Sequence, residues 1–487
     1  MIRLWILTLM LATACGQAAT TTPDAEAEAD VAVDAVDVAA ATTPTDGVRL
    51  ADRQACKFTA GALPAETLGA DMPQGDAIPI KHIIVFMQEN RSFDNYFGQL
   101  VAQGYYAGGD FSAGGSGFTH HDQVDVPAAN WSNLDAKGNA VTRHPDTKFC
   151  YTAEHGWGPM HTSWNGGKND GFVVATGNAD PFIYEDDSII PFYYALASTF
   201  AMGDRYFASV MTSTWPNRLF AMAATSFGNG DNSIVTQETA EAPVPQIFRS
   251  LVEHGHTWKD YTDGPHQVLF MPVFGFSPDA QPNMKNVQCD LMTDIANNTL
   301  PDVAYVMGSE VGSFNVDDDE GPSAIPQIGG MWVEGILRAL MASPAWKDTV
   351  VFIVYDENGG MADHVPPVPA CKPDDWPPLD VKNNVPLPGA FDYTGFRVPF
   401  TVVSPYAKAH YVSHAIYDHT SLLRFIEAKF NLPALTARDA NATPPMEMFD
   451  FKNPPFLTPP TIKAHTTVEQ KILDLCKEHT STLGCVP

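Results

Sequence analysis

Four oxygen-bearing side chains follow two apolar segments that lie far apart in the chain. Asp356 and Glu357 come directly after the apolar residues 349–355, and Glu89 and Asn90 come directly after 80–88. Short apolar runs of this kind are typical of strands buried on both faces, as in a parallel sheet between helices. The carboxyl ends of parallel strands meet at one edge of the sheet, where ligands bind.

Carboxylates that leave a buried strand are costly to place unless a cation compensates their charge. Oxygen ligands without a Cys or His cluster suit a hard or borderline cation. We therefore expect the two acidic pairs to form one site for a single divalent metal ion of unknown identity. For either pair alone, a solvated loop after a strand is the alternative.

Three hydroxyl residues, Thr212, Ser213 and Thr214, precede Pro216, which is placed as a first helical residue would be. At least one hydroxyl should then lie near a helix N-terminus, where free N–H groups favour an anion such as phosphate. A simple N-cap is the alternative. A nearby base or metal would make such a hydroxyl nucleophilic. Arg218 and Arg205 are candidate phosphate partners, although a single arginine is usually a surface residue.

Histidines occur in the same regions, and histidine has a suitable pKa to protonate a leaving alkoxide. Any one of them alone could instead be a hydrogen-bonded loop residue. The candidates are His155, His161, His364 and His419.

The apolar patterns predict alternating strands and helices. Strands are expected at 80–87, 349–355 and 395–405, and helices at 191–200, from about Pro216, at 328–341 and at 420–430. Such alternation indicates an α/β fold with a doubly wound, mostly parallel sheet between helices. Residues 103–190, rich in Gly, His, Asn and Trp, predict long loop insertions or a small subdomain.

The composition is that of a globular protein with a strong acidic bias. The 487 residues include 28 Lys and Arg against 57 Asp and Glu, for a net charge of −29, and 45% are hydrophobic. An acidic surface argues against nucleic acid and against anionic lipid surfaces as partners, because both require a basic face.

The N-terminus resembles an export signal, because a positive start precedes an apolar run too short to span a bilayer. Cys15 follows small residues as in a lipoprotein cleavage box, although Ala12 stands where Leu is usual; ordinary secretion is the alternative. We expect a signal peptide at 1–15, a disordered acidic tether at 16–50 and one domain at 51–487. These features predict an exported, lipid-anchored protein of the cell envelope. The six other cysteines favour disulfides, and the close pair Cys476–Cys485 is the predicted bridge.

Taken together, these stretches resemble a bacterial phosphoesterase family that includes phosphatidylcholine-type phospholipases C and the Francisella-type acid phosphatase. Its core is similar to that of alkaline phosphatases and sulfatases. The likeness extends over about 80–451 and rests on motifs in the same order, namely Gln88-Glu-Asn-Arg-Ser-Phe-Asp-Asn-Tyr-Phe-Gly98, His155-Gly-Trp157, Asn165-Gly-Gly-Lys-Asn-Asp-Gly-Phe172, Thr214-Trp-Pro-Asn-Arg218, Tyr355-Asp-Glu-Asn-Gly-Gly-Met-Ala-Asp-His-Val-Pro-Pro367, Arg397-Val-Pro399, Ser404-Pro405, His419-Thr-Ser421, Arg438-Asp-Ala-Asn441 and Phe449-Asp-Phe451.

The resemblance implies a metal-dependent phosphoric ester hydrolase that acts through a phosphothreonine on Thr214. It implies that Asn90 also contacts the phosphoryl group and that His155 lies near it. His364 and His419 match histidines in the motifs of the family, and the resemblance gives them no definite role. The implied metal ligands are Glu89, Asn90, Thr214, Asp356 and Glu357.

Two departures from the family pattern stand out. An acid-His-Pro-Pro segment is replaced by Asp319-Glu-Gly-Pro-Ser323, which has no histidine, and Asn169 replaces a usual methionine. The β-rich C-terminal extension of the longer phospholipases is also missing, which favours a compact, phosphatase-like member.

Several functions remain open at this point. The substrate is a phosphate ester or a phospholipid; a phospholipase C needs an apolar entry and often an aromatic cage. A catalytically impaired, surface-anchored phosphoester-binding lipoprotein is the main alternative, supported by the missing histidine. A sulfatase is disfavoured, because no cysteine lies near the predicted site. Tryptophans available for a cage are Trp131, Trp157, Trp164, Trp215 and Trp258.

Overall fold

A computed structural model describes residues 49–69, 71–106, 124–147, 153–233, 245–262, 283–308, 319–321 and 324–470. The predicted signal peptide, Cys15, nearly all of the tether and the predicted Cys476–Cys485 bridge lie outside these residues and stay predictions. The described residues belong to one compact unit.

An eight-stranded sheet forms the centre of this unit, in the order β14-β6-β13-β10-β1-β9-β7-β8. Within it only β13 runs against the others, because it pairs antiparallel with both β10 and β6. The eight strands are β1 (His82–Gln88), β6 (Ala201–Gly203), β7 (Trp258–Thr262), β8 (Met284–Asn286), β9 (Val303–Met307), β10 (Thr349–Tyr355), β13 (Phe400–Val403) and β14 (Tyr411–Ser413).

Helices flank this sheet. Those described are α1 (Leu50–Gln54), α2 (Pro64–Thr67), α3 (Phe93–Phe97), α4 (Trp157–Trp164), α5 (Phe172–Thr176), α6 (Pro191–Thr199), α7 (Thr214–Ala223), α8 (Ile247–Glu253), α9 (Met292–Asn297), α10 (Pro326–Met341), α11 (His419–Phe430) and α12 (Ala437–Ala440).

Helices cover both faces of the sheet at its centre. Val85 of β1 pairs with Phe352 of β10 and shares its face, so the next residue, Phe86, points to the opposite face. Trp332 of α10 packs against Phe86 with ring centroids 5.0 Å apart, and Phe425 of α11 packs against Phe352 at 5.1 Å. Burial on both faces explains why these strands are apolar throughout. The predicted doubly wound α/β fold is confirmed.

Most predicted elements are present, with shifted ends. The predicted strand at 395–405 is only Phe400–Val403, because the preceding backbone bonds to a loop instead: Gly395 N donates to Ala208 O and Val398 N donates to Tyr206 O. Helix α7 begins at Thr214, so Pro216 is its third residue rather than its first. The prediction for Pro216 was therefore wrong by two residues; proline is tolerated there because the first-turn N–H groups have no partner within the helix.

The predicted loop-rich region of 103–190 contains, in its described part, only short elements. They are the two-residue and three-residue strands β2 (Ser132–Leu134), β3 (Ala140–Thr142), β4 (His144–Pro145) and β5 (Ile183–Tyr184), with α4 and α5. A further small hairpin, β11 (Leu379–Asp380) and β12 (Val385–Pro386), forms its own two-stranded sheet.

A disulfide that the sequence did not predict joins Cys56 and Cys371, with Cα atoms 5.6 Å apart and a sequence separation of 315. It ties the segment after α1 to the loop that follows the central strand β10. None of the helices within the described ranges is both long and apolar enough to cross a bilayer.

Candidate active site

The two acidic pairs lie side by side because β1 and β10 are adjacent and parallel. Gln88 is paired with Tyr355, the last residue of β10. Both chains then turn away from the sheet and are joined by hydrogen bonds, from Asn90 N to Asp356 Oδ1 (3.0 Å) and from Asp356 N to Gln88 O (3.1 Å). The predicted meeting of the two strand ends is thus present.

The two loops approach each other closely at Asn90 and Gly359. Asn90 has a left-handed backbone with φ of +60°, which asparagine tolerates better than most residues. Gly359 also has a φ of +60°, and a Cβ there would lie 2.3 Å from the carbonyl oxygen of Asn90. Only glycine fits this position, which explains the Gly that follows the acids in the sequence.

Oxygen atoms converge around the side chain of Asn90. One terminal atom of its amide lies 2.5 Å from Glu357 Oε1 and 3.0 Å from Asp356 Oδ1. The hydroxyl Oγ1 of Thr214 is 3.4 Å from the same atom. With nitrogen at that place the amide donates to both carboxylates, and with oxygen there four oxygens converge. The second orientation is the donor set that a hard divalent cation prefers, so these residues fit the predicted metal.

The electrostatics of this cluster also favour a cation. Glu357 is fully buried, and burial, with the neighbouring charge of Asp356 as the next cause, raises the pKa of its carboxyl well above the ordinary value. The backbone N–H of Gly359, which donates to Glu357 Oε2 at 2.6 Å, and Arg218 oppose this rise. Two adjacent buried carboxylates cannot both be charged cheaply without a compensating positive charge.

Arg218 supplies part of that compensation. Its Nη2 donates to Glu89 Oε1 at 2.8 Å and its Nε to Asp356 Oδ2 at 3.2 Å, with all three side chains almost fully buried. The sequence suggested Arg218 as a phosphate partner; in this structure these two nitrogens hold acids of the site instead. Arg205, the other candidate, is 44% exposed and lies near Asp125.

Thr214 is the first residue of α7, and Asn217 fixes the loop that leads to it. Asn217 accepts from Val210 N through Oδ1 (3.0 Å) and donates through Nδ2 to the carbonyl oxygens of Thr212 (3.0 Å) and Ser213 (3.1 Å). The hydroxyl of Thr212 donates a hydrogen bond to Gly230 O at 2.7 Å. Of the three candidate hydroxyls, Thr214 is therefore the one that contacts the acidic cluster, through the amide of Asn90. It lies at a helix N-terminus, which favours an anion.

His155 lies at the open side of the cluster. Its Nε2 is 3.8 Å from Glu357 Oε1, and its Nδ1 is 2.8 Å from Ala153 O. The side chain is 27% exposed, and it lines a cavity of about 480 Å³ together with Ser213. Among the predicted histidines, it combines access to solvent with a contact to the acids.

His419 is placed behind the acids. It is fully buried; its Nε2 lies 2.7 Å from the backbone oxygen of Asp356 and its Nδ1 lies 3.1 Å from the hydroxyl of Tyr206. Since a carbonyl oxygen only accepts, Nε2 carries the proton and Nδ1 accepts from the tyrosine. Burial lowers the pKa of His419 to about 4, so the ring is neutral and holds the backbone of Asp356.

His364 belongs to a separate ion-pair network. Its Nδ1 lies 2.8 Å from Asp94 Oδ2 and its Nε2 lies 3.0 Å from Asp125 Oδ1. Burial alone would lower the pKa of His364, but the charge of Asp94 and the hydrogen bonds to Asp125 and Asp94 raise it to about 9. Arg397 donates to Asp94 Oδ1 (2.9 Å) and Asp363 Oδ1 (2.8 Å).

Part of this network is a possible metal site. In the described part of the chain, it is the group of three His, Cys, Asp or Glu side chains whose ligand atoms all lie within 4.8 Å of one another. Its members, Asp94, Asp363 and His364, could hold a metal ion. The guanidinium of Arg397 already provides a positive charge to both aspartates, so the network is balanced without one. The acids Glu89, Asp356 and Glu357 do not converge so tightly, because Arg218 lies against Glu89 and Asp356.

A comparison of the sequence with family models decides the classification. The model of the phosphoesterase family matches residues 80–433, which include both acidic pairs, Thr214 and the four predicted histidines. The chain belongs to the phosphoesterase family.

Curated relatives of this phosphoesterase agree. "Phospholipase C A" of Mycobacterium tuberculosis is 31% identical over 441 residues, which cover 81% of this chain and 82% of that protein. The "Non-hemolytic phospholipase C" of Burkholderia pseudomallei is 30% identical and covers 78% of this chain, but only 59% of the relative's own length is matched. The predicted family and the predicted enzyme class, a hydrolase acting on ester bonds, are confirmed.

Among solved structures, the lipoteichoic acid synthase LtaP from Listeria monocytogenes matches 64% of this chain and 76% of its own, with 12% identity and a TM-score of 0.34. Human ectonucleotide pyrophosphatase/phosphodiesterase 5 matches half of this chain with a TM-score of 0.30. Likeness at this level carries no argument about this phosphoesterase.

The segment that departs from the family pattern supports Glu89 from behind. Asp319 O accepts from Glu89 N at 2.7 Å. Glu320 is fully buried, and burial raises the pKa of its carboxyl while three tyrosine hydroxyls that donate to it, those of Tyr96, Tyr193 and Tyr355, lower it. Nothing in the sequence signalled this cluster, because its members are separated by up to 259 residues (355 − 96).

The candidate tryptophans do not form one cage. Trp157 lines the cavity beside His155 and stacks on His161 with ring centroids 4.5 Å apart. Trp131 packs on Phe182, and Trp258 packs on Phe248. Of these three, only Trp157 is placed to contact a substrate in that cavity.

Proposed function

We propose that this chain is a metal-dependent phosphoric ester hydrolase of phospholipase C type that acts through a phosphothreonine on Thr214. The observation that carries the proposal is the contact between Thr214 Oγ1 and Asn90, whose amide also contacts Asp356 and Glu357. A hydroxyl at a helix N-terminus beside two carboxylates and an amide is the arrangement that phosphoryl transfer to an alcohol requires.

Asn90, Asp356, Glu357 and Thr214 are the residues that would hold one divalent cation, with Glu89 at the edge of the set. Bound there, such a cation supplies Lewis-acid chemistry, which lowers the pKa of a hydroxyl and offsets negative charge on phosphate. Arg218 keeps Glu89 and Asp356 in place, and His419 keeps the backbone of Asp356 in place.

In the first step, Thr214 Oγ1 releases its proton to solvent and attacks phosphorus, the bond from phosphorus to the leaving-group oxygen breaks, and that oxygen takes a proton. His155 is the side chain we assign as the donor, because it is partly exposed beside Glu357 in the cavity. The N-terminal N–H groups of α7 face the negative charge that accumulates on the phosphoryl oxygens.

In the second step, a water gives its proton to the now neutral His155 and attacks phosphorus. The bond from phosphorus to Thr214 Oγ1 breaks, which releases phosphate or a phosphorylated headgroup, and Thr214 Oγ1 takes back a proton from solvent to restore the hydroxyl. This use of one histidine as acid and then as base returns every group to its starting state.

The names of the relatives favour a phospholipid diester over a simple monoester as the substrate. An acid phosphatase activity is the second candidate, because the family that the motifs resemble includes the Francisella-type acid phosphatase. We further propose that the protein is exported and anchored through a lipid on Cys15, on the basis of the N-terminal residues alone.

The test is hydrolysis of p-nitrophenylphosphorylcholine and p-nitrophenyl phosphate by the purified protein, before and after removal of metal with EDTA and re-addition of divalent ions one at a time. We expect the diester to be preferred, activity to vanish on stripping, and one ion to restore it. Activity that survives complete stripping would contradict metal dependence. Binding of phosphoesters without any turnover would favour the binding-protein alternative, which the retained Thr214 and acids oppose.

A further inference from the structure

The hairpin of β11 and β12 stands at the rim of the cavity. Its strands pair Leu379 with Pro386 and Asp380 with Val385. Its base is fixed to the loop after α7, because Leu379 N donates to Gly228 O and Gly230 N donates to Leu379 O, each at 2.9 Å. The hairpin therefore has a fixed position relative to the helix that begins at Thr214.

This hairpin segment, residues 376–388, exposes apolar side chains. Trp376 is 39% exposed and Val385 is 52% exposed. The neighbouring prolines Pro377, Pro386 and Pro388 are also exposed. Single exposed apolar residues are ordinary on any protein, but a group of them beside a ligand cavity marks an interaction surface.

The exposed group is continuous with the cavity. Asp380 and Leu387 of the hairpin segment line the cavity together with His155 and Ser213. On the far side, Trp157 Nε1 donates to Pro388 O at 3.1 Å. Val385 pairs with Asp380 and so lies next to the cavity wall, and Trp376 belongs to the same segment; neither residue lines the cavity itself.

We propose that the hairpin segment docks on a zwitterionic phospholipid surface, with the side chains of Trp376 and Val385 in the boundary between headgroups and acyl chains. The inference rests on the proposed function, because a phospholipid headgroup can reach the cavity only if the rim contacts the bilayer. Tryptophan favours this boundary, since its ring is amphipathic.

The charge of the protein selects the type of surface. A net charge of −29 repels an anionic bilayer, and the segment itself has no excess of positive charge, since it contains one acid, Asp380, and one base, Lys382, and follows Asp374 and Asp375. An interface with no net charge, such as phosphatidylcholine, carries no such penalty. Apolar insertion rather than basic attraction is thus the mode of docking that this surface supports.

The experiment uses the full chain carrying Cys15→Ser, so that no lipid anchor contributes. Trp376→Ser, Val385→Asp and the double variant are compared with Val252→Asp, a matched control at a 59% exposed valine on α8. Flotation with phosphatidylcholine vesicles, with and without phosphatidylglycerol, measures docking. Hydrolysis of the vesicles and of soluble p-nitrophenylphosphorylcholine measures activity.

We expect the two hairpin substitutions together to reduce flotation and vesicle hydrolysis at least tenfold, with an unchanged rate on the soluble ester and no effect of Val252→Asp. Added phosphatidylglycerol should weaken flotation of the parent protein. Equal flotation of the double variant and the parent would overturn the proposal. So would a change in sedimentation mass of the double variant without a change in flotation, because the patch would then contact a second copy.

The two proposals can fail separately. A parent protein that floats through the hairpin but hydrolyses neither substrate would overturn the proposed function and support the docking surface. A parent protein that hydrolyses the soluble ester but does not float would support the function and overturn the docking surface.

Discussion

Arg218 and Asp356 form a buried ion pair, with Nε 3.2 Å from Oδ2, and the same guanidinium reaches Glu89 on the neighbouring strand end. One arginine therefore spans the carboxyl ends of the two central strands. This pairing sets where the acids of the site can lie before any ligand binds, and its single positive charge lies against two of the carboxylates that the fold concentrates there.

Arg218→Lys should lower kcat/KM by about 10- to 100-fold, because the point charge of lysine cannot bridge two carboxylates as the guanidinium does. Steady-state hydrolysis of a soluble phosphodiester measures this. Arg205→Lys is the matched control, because Arg205 is largely exposed and near a single aspartate. A fully active Arg218→Lys protein would show that the bridge is dispensable.

His155→Gln should affect poor leaving groups more than good ones. If His155 protonates the leaving oxygen, its loss matters little for p-nitrophenolate and costs roughly 10²-fold or more for an alkyl alcohol. Rates on p-nitrophenylphosphorylcholine and on a short-chain phosphatidylcholine give the ratio. The same loss for both substrates would mean that His155 orients the substrate rather than donating a proton.

His364 should make stability depend on pH in the alkaline range. Its folded pKa of about 9 lies above the ordinary value of about 6.5, so its contribution is complete below about pH 6.5 and is lost as the pH rises through about 9. We expect Tm to fall over this range and His364→Gln to have a lower Tm at pH 6 but nearly the same Tm at pH 10. A difference in Tm that does not vary with pH would contradict the ion-pair assignment.

Loss of the Cys56–Cys371 bridge should destabilise the fold without changing the chemistry of the site. The bridge closes a loop with a sequence separation of 315, and removal of a native disulfide costs about 2–5 kcal/mol. Thermal melting of the Cys56→Ser/Cys371→Ser protein measures it, with Cys15→Ser as control. If the double variant has the same Tm as the parent protein, the bridge does not stabilise the fold.

The sequence predicted what depends on local pattern. The apolar runs before Glu89 and Asp356 place both strands in the centre of a parallel sheet, and the meeting of their carboxyl ends follows from that geometry. The start of α7 was misplaced because Pro216 fits the third position of a helix as well as the first.

What the sequence did not predict depends on packing between distant residues. The role of Arg218 in holding acids, the neutral state of His419 and the tyrosine cluster around Glu320 each need the positions of side chains from separate elements. The Cys56–Cys371 pairing is of the same kind, since six cysteines allow 15 connectivities and spacing favours near neighbours.

The most direct test of the account is the fate of the phosphoryl group on Thr214. Thr214→Ala, Thr214→Ser and Ser213→Ala proteins are compared in hydrolysis of p-nitrophenylphosphorylcholine, and acid-quenched reactions are analysed by peptide mass spectrometry. We predict a loss on the order of 10³-fold or more for Thr214→Ala, partial activity for Thr214→Ser, near-normal activity for Ser213→Ala, and a phosphorylcholine adduct on residue 214 of the parent protein. A Thr214→Ala protein with parental rates, or an adduct on another residue, would contradict it.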